Sequence, residues 1–460
     1  MPHTPHVTST VPRREAGPSR RPICSRVLAL LALLVASCGA PPPPTTPNVL
    51  LYIVDTLRAD SLGYYGDPQA RTPQIDRFAA EGVIFEQARA HSSWTRPSVA
   101  SIFTGQNPPR HRVESRADRL SEEASTIAEL LSAAGFDTAF ITTNPNVGSF
   151  FGFGQGFDRM LELYARRAAG RIDESELVTR ADEVTRRAIA WLESARRPFF
   201  LVVLSVDPHF PYRPPAAFAP PERPEKPRVA PDGMPDAPTQ RYVRSRYQGE
   251  VAANDAAFGA LIDHLREAGS LDDTIAILTS DHGEEFWEHG GILHGKTLYD
   301  EMLHVPLVIR YPRAAALESG TRITSPVRSI DILPTLLDLL GLPPHSPAEG
   351  RSLARLDGDA PVSIASLHDE DRELRAVTAP PWKLHLDVST GETTLFDLAS
   401  QAAERIPADP AQDPEARAAL EALLPELEVD AREDATDAEA DDHALPEDAR
   451  KTLEALGYLE

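Results

Sequence analysis

Five short, unbroken apolar runs limit the fold of this chain more than any other feature. They are Val49–Val54, Thr138–Ile141, Phe199–Leu204, Thr274–Leu278 and Val305–Ile309. None alternates apolar with polar residues, so each needs cover on both faces, as the buried strands of a parallel sheet do. Between them, Ile75–Ala80, Thr126–Ala134, Leu177–Ala195 and Tyr247–Glu267 place apolar residues at three- and four-residue spacing, the period of a helix packed on one side. Strand–helix alternation of this kind predicts an α/β fold with a doubly wound, mainly parallel sheet. A helix-and-loop unit follows at Ile330–Leu342. After about Asp357 the pattern changes to short strands at Ser363–Leu367, Arg375–Val377, Lys383–Val388 and Thr393–Phe396. Ser389-Thr390-Gly391 reads as the turn joining the last two, which predicts a small antiparallel C-terminal subdomain.

The first 40 residues follow a different logic. Arg20, Arg21 and Arg26 precede the apolar stretch Val27–Val35, which is too short to span a bilayer. Val35-Ala36-Ser37-Cys38 then resembles a lipobox, with Cys38 as the lipidated residue; the alternative is a secretory signal cleaved near Ala36. Lipidation predicts a membrane-anchored protein of the cell envelope. Residues 1–38 are thus expected to be a lipoprotein signal peptide and 39–47 a stiff Pro-rich tether. Residues 48–357 follow as the main α/β domain, 358–428 as the antiparallel subdomain, and 429–460 as an acidic tail with a short terminal helix. Cys24 and Cys38 are the two cysteines of the 460 residues, which excludes disulfides and cysteine-ligated metal beyond the leader. The net charge of −23 argues against a nucleic-acid partner.

Three of the apolar runs end in residues able to bind a cation. Val54 leads into Asp55, Leu204 into Ser205-Val206-Asp207-Pro208-His209, and Leu278 into Thr279-Ser280-Asp281-His282. Ligands of open parallel sheets bind at the carboxyl ends of strands, so these tips can converge on one crevice. A single such Asp more often caps a helix; three together point to a metal site of oxygen and nitrogen donors. In His91–Gly105, Pro97 suits the first turn of a helix and Thr95 lies just before it. Thr95 is either a helix cap or a hydroxyl placed beside an anion at a helix N-terminus.

NVLLYIVDTLRAD, TRPSVASIFTG, VDPHFPY, TSDHGEEFWEHGGILHGKTLYDEMLHVPLVIRYP and SIDILPTLLDLLGL, in this order, resemble the motifs of the sulfatase family within the alkaline phosphatase superfamily. The resemblance runs from about Asn48 to about Ala402 and implies a metal-dependent ester hydrolase. It implies one divalent ion (Mn, Zn, Ca or Mg) held by Asp55, Thr95, Asp281 and His282, with His209, His294 and Lys296 as substrate- and leaving-group residues. His289 belongs to a stretch that reads equally well as a plain loop. A second ion would need Asp207, His209 and His294. Departures from the family pattern set the chemistry. Sulfatases convert a Cys or Ser in C/S-x-P-x-R to formylglycine; here that position is Thr95, and the motif's Arg is Val99. The second metal-binding Asp is Thr56, and the usual Asn is His282. Thr95, Asp55, Asp281 and His282 resemble instead the site of threonine-nucleophile phosphotransferases of the same superfamily. The expected activity is hydrolysis of phosphate or phosphonate esters of a small molecule, glycan or lipid. Sulfate ester hydrolysis without formylglycine, an envelope phospho-headgroup transferase, and an inactive binding protein are the alternatives.

Overall fold

The computed structural model describes residues 46–164, 179–220, 234–312, 318–356, 360–369, 372–400, 404–427 and 447–456. The leader, Cys38, most of the tether and most of the acidic run lie outside the described residues. The main sheet has eight strands. In chain order they are β1 (Asn48–Val54), β2 (Val83–Phe85), β3 (Asp137–Thr142), β4 (Arg159–Glu162), β5 (Phe199–Ser205), β6 (Thr274–Ser280), β7 (Leu307–Arg310) and β8 (Arg322–Ile323). Their spatial order is β8-β2-β7-β6-β1-β5-β3-β4. β1 lies at the centre, parallel to β5 on one side and β6 on the other. Every residue of β1, β5 and β6 is buried, as unbroken apolar runs demand.

Val49, Leu51 and Ile53 face a core that includes Val99, Ile102 and Phe103 of the helix Thr95–Thr104. Leu50, Tyr52 and Val54 face a second core with Phe258 and Leu261 of the helix Ala237–Glu267. Helices therefore cover both faces, as in a doubly wound sheet. The helix read from Tyr247 begins ten positions earlier, at Ala237, where the Asp236 side chain accepts from the Thr239 amide. Thr126 and Glu129 form a capping box at the start of Ile127–Ala133, an arrangement that contributes about 1 kcal/mol.

The fifth apolar run departs from its expected sense. Val305 pairs with Ala88 in a separate small sheet, whereas β7 runs antiparallel to β6. A parallel partner needs a crossover that carries the chain back to the opposite end of the sheet. The segment after β6 stays at that strand's carboxyl end, with one four-residue helix (Asp300–Leu303), so the next strand returns the opposite way.

Four further strands form an antiparallel sheet in sequence order: β9 (Ser363–Asp369), β10 (Arg372–Ala379), β11 (Trp382–Asp387) and β12 (Glu392–Asp397). Gly391 takes φ +74° in the turn between β11 and β12, a conformation glycine adopts without strain. The helix Pro414–Leu427 packs its Ala416 and Leu423 with Val377 and Leu384 of this sheet. A last helix spans Glu447–Ala455. Among the described residues no helix is long and apolar enough to cross a membrane.

Candidate active site

The tips of β1 and β6 bring Asp55, Asp281 and His282 together, all fully buried and with one ligand atom of each within 4.8 Å of the others. His282 Nε2 lies 3.8 Å from Asp55 Oδ1 and 3.5 Å from Asp281 Oδ2. Thr95 Oγ1 is 3.5 Å from the same nitrogen. Thr95 is the first residue of its helix, and the flanking Trp94 makes no side-chain cap. The hydroxyl faces His282 and the Asn144 carboxamide.

Neighbouring groups fix each side chain. His282 Nδ1 lies 2.9 Å from the Gly283 carbonyl, so Nδ1 carries the proton and Nε2 presents its lone pair. Asp281 Oδ1 accepts from the amides of Thr56 (3.2 Å) and His282 (2.9 Å). Thr56 turns its amide that way by adopting φ +56°, a strained conformation for a β-branched residue. A Cβ at Gly283 would collide with the Glu301 carbonyl, so that position also needs glycine.

Asn144 is a site residue that the sequence reading missed. Its Nδ2 donates to Asp55 Oδ2 at 2.6 Å and to Thr95 Oγ1 at 3.2 Å. Its Oδ1 accepts from the Asn146 amide, which fixes the orientation of the carboxamide. The Arg96 guanidinium holds Asn146 in turn, at 3.0 Å from its Oδ1. The available signal was position: Asn144 stands two residues past the end of β3, as His282 stands past β6. Val99, standing where the family has an arginine, is core.

Asp55 Oδ1 and Asp281 Oδ2 are buried without a hydrogen-bond partner. Burial, with the nearby charge of Asp281, pushes the Asp55 carboxyl well above its usual range, and burial also raises Asp281. Burial lowers the His282 imidazole to about 4, which keeps it neutral. Two orphaned carboxylate oxygens and a neutral imidazole, facing one another with a hydroxyl beside them, fit a divalent cation. Such an ion supplies the missing partner and lets both carboxylates ionise.

His209 and His294 form the adjoining wall. Their rings are 4.7 Å apart, and His294 is 4.7 Å from His282. His294 Nδ1 lies 2.9 Å from Glu284 Oε1, and Tyr212 donates to the other Glu284 oxygen at 2.9 Å. Burial pushes both imidazoles down to about 3 and Glu284 up to about 7. Lys296 is exposed and lines the cleft that opens beside His294. Asp207 does not join them: its Oδ2 accepts from the Ala181 amide at 2.8 Å and so serves the start of a helix. The set that a second ion would need is therefore not assembled.

A polar clamp holds the loop that carries His294 and Lys296. His289 lies between Glu301 Oε1 (2.6 Å, from Nδ1) and the Glu404 carbonyl (3.0 Å, from Nε2), and its ring stacks on Tyr299. Two acceptors require both ring nitrogens to donate, which is the imidazolium form. Burial opposes that charge, but Glu301 outweighs it and raises the His289 pKa. Stability from a raised pKa is fully present below the unfolded value of about 6.5 and is lost as pH rises through the folded value. The excess urea midpoint of the natural chain over His289→Phe, which keeps the stacking, should therefore be largest near pH 5 and shrink as pH rises. A gap that is constant with pH would contradict the clamp.

Residues 47–342 match the family model described as Sulfatase. An ulvan-active sulfatase of Formosa agariphila is 28% identical over 345 residues, covering 68% of this chain and 65% of the relative, so the chain spans slightly under two thirds of that protein. A multifunctional alkaline phosphatase superfamily protein of Trinickia caryophylli is 27% identical over 403 residues, covering 67% and 76%. The solved structure of a phosphonate monoester hydrolase from Silicibacter pomeroyi matches with a TM-score of 0.68 at 24% identity, covering 83% of this chain and 94% of that one, a likeness of fold. The ordered strand tips, the buried Asp–Asp–His group and the family match over more than half the chain agree: this chain belongs to the sulfatase family.

Proposed function

We propose that the protein is a metal-dependent hydrolase of phosphate or phosphonate esters with Thr95 as its nucleophile. The observation that carries this reading is a threonine hydroxyl at the point where Asp55, Asp281 and His282 converge, in place of a residue that can become formylglycine. Asp55, Asp281, His282 and Thr95 would hold the ion. When bound, a divalent cation lowers the pKa of a coordinated hydroxyl and offsets charge on the transferring group. Thr95 Oγ attacks phosphorus after giving its proton to solvent; the new O–P bond forms as the bond to the leaving oxygen breaks, and the electron pair departs with that oxygen. The Lys296 ammonium protonates the leaving oxygen, while His209 and His294 contact the phosphoryl oxygens. Water then adds to phosphorus, and Thr95 leaves as the alcohol, taking back a proton. Asn144 holds Thr95 and Asp55 in register throughout.

The second reading is sulfate ester hydrolysis, favoured by the family match and by the likeness to the ulvan-active sulfatase of Formosa agariphila. Threonine lacks the hydrate by which formylglycine expels sulfate, so a sulfated Thr95 would turn over slowly. Matched aryl phosphate, phosphonate and sulfate esters separate the two readings. Phosphate or phosphonate turnover should exceed sulfate turnover, cease on chelation and return with a divalent ion. Preference for the sulfate ester, or activity indifferent to chelation, would contradict the proposal.

A further inference from the structure

The cleft beside His294 has a wall built by the far end of the chain. Its volume is about 160 Å³, below the roughly 300 Å³ at which pockets for drug-sized ligands begin. Trp94, Phe210, Leu293, Leu367 and Leu456 supply its apolar lining. Its charged side carries Lys296 and Arg116, the latter 3.9 Å from Asp369. Leu456 directly follows the terminal helix, its amide donating to the Thr452 carbonyl at 2.9 Å. The helix seats firmly: Thr452, Leu453 and Leu456 are at most 3% exposed. Leu453 and Leu456 belong to the same apolar cluster as Trp94, Val147 and Leu367. Val147 is three residues beyond Asn144, so the helix rests on the segment that orients Thr95 and Asp55.

We propose that Leu456 is a specificity-determining residue, the size-limiting wall of the substrate cleft, and that the cleft takes esters whose non-reacting group is a single ring-sized apolar moiety. This rests on the ester-hydrolase reading of the same site. The reacting group sits by Thr95 and His294, so a group extending past His294 into the cleft meets its apolar lining, Leu456 and Leu367 included. Apolar pockets discriminate by size: one methylene changes relative rates by about 10-fold or more.

The test uses the full chain and two variants, Leu456→Ala and Leu456→Phe, assayed with phenyl and 2-naphthyl phosphate. The readout is the ratio of kcat/KM for the naphthyl ester to that for the phenyl ester. Leu456→Ala should raise the ratio by about 10-fold and Leu456→Phe should lower it. A ratio unchanged in both active variants overturns the wall. If the natural chain cleaves neither ester, the hydrolase reading fails separately. Calorimetric Kd values for phenylphosphonic and 2-naphthylphosphonic acid then decide the wall alone, with the same directions expected; equal shifts for both acids would overturn it.

Discussion

Thr95→Ala is expected to lower turnover of the preferred ester by about 10³-fold or more, because it removes the atom that forms the covalent bond. The fold should survive. Thr95 is at the first position of its helix, where alanine is at least as good a helix former. The lost hydroxyl accepts from Asn144 at 3.2 Å, so the cost to stability should be about 1 kcal/mol. Asp55, Asp281 and His282 remain, so divalent ion should still bind. Thr95→Ser keeps a hydroxyl and should recover a measurable part of kcat. Steady-state kinetics, metal content and the urea midpoint of the three proteins check this. Turnover near that of the natural chain in Thr95→Ala would remove Thr95 as the nucleophile.

Lys383→Met is expected to be the most destabilising of these substitutions. Lys383 is fully buried on β11, with its Nζ 2.7 Å from Glu404 Oε1 and 3.4 Å from Asp300 Oδ1. Asp300 also pairs with Arg89 at 3.0 Å, so the group ties the antiparallel sheet to the loop carrying His294 and Lys296. Burial would raise the Glu404 carboxyl, yet the Lys383 charge and the His385 imidazole together hold the group below the usual range. Removing one partner of a buried pair leaves the other charge uncompensated, at about 3–5 kcal/mol. Lys383→Met should lower the urea midpoint by that equivalent, and adding Glu404→Gln should restore part of it. An unchanged midpoint in Lys383→Met would contradict this account of the contact.

Much of the fold is legible in the chain because β1, β5 and β6 are covered on both faces, and only apolar residues satisfy that environment. The sense of β7 is not, since an apolar run reads the same in either direction and the route of residues 281–306 decides it. Asp55, Asp281 and His282 stand out because each lies within two residues of the end of a long apolar strand. Asn144 does not, because an Asn before Pro145 reads as an ordinary turn. Asp207 looked like a ligand by the same strand-tip logic, but a carboxylate there can equally serve a helix, and Ala181 begins one beside it. The Lys383–Glu404–Asp300 group joins residues far apart in sequence, and no local pattern reports such pairings.

The central claim is a covalent bond between Thr95 Oγ and phosphorus during turnover. Rapid acid quenching with saturating aryl phosphate, followed by peptide mass spectrometry, tests it most directly. The account predicts a phosphoryl group on Thr95, absent from unreacted protein and from Thr95→Ala. A phosphoryl group on another residue in the natural chain, with Thr95 unmodified, would contradict it.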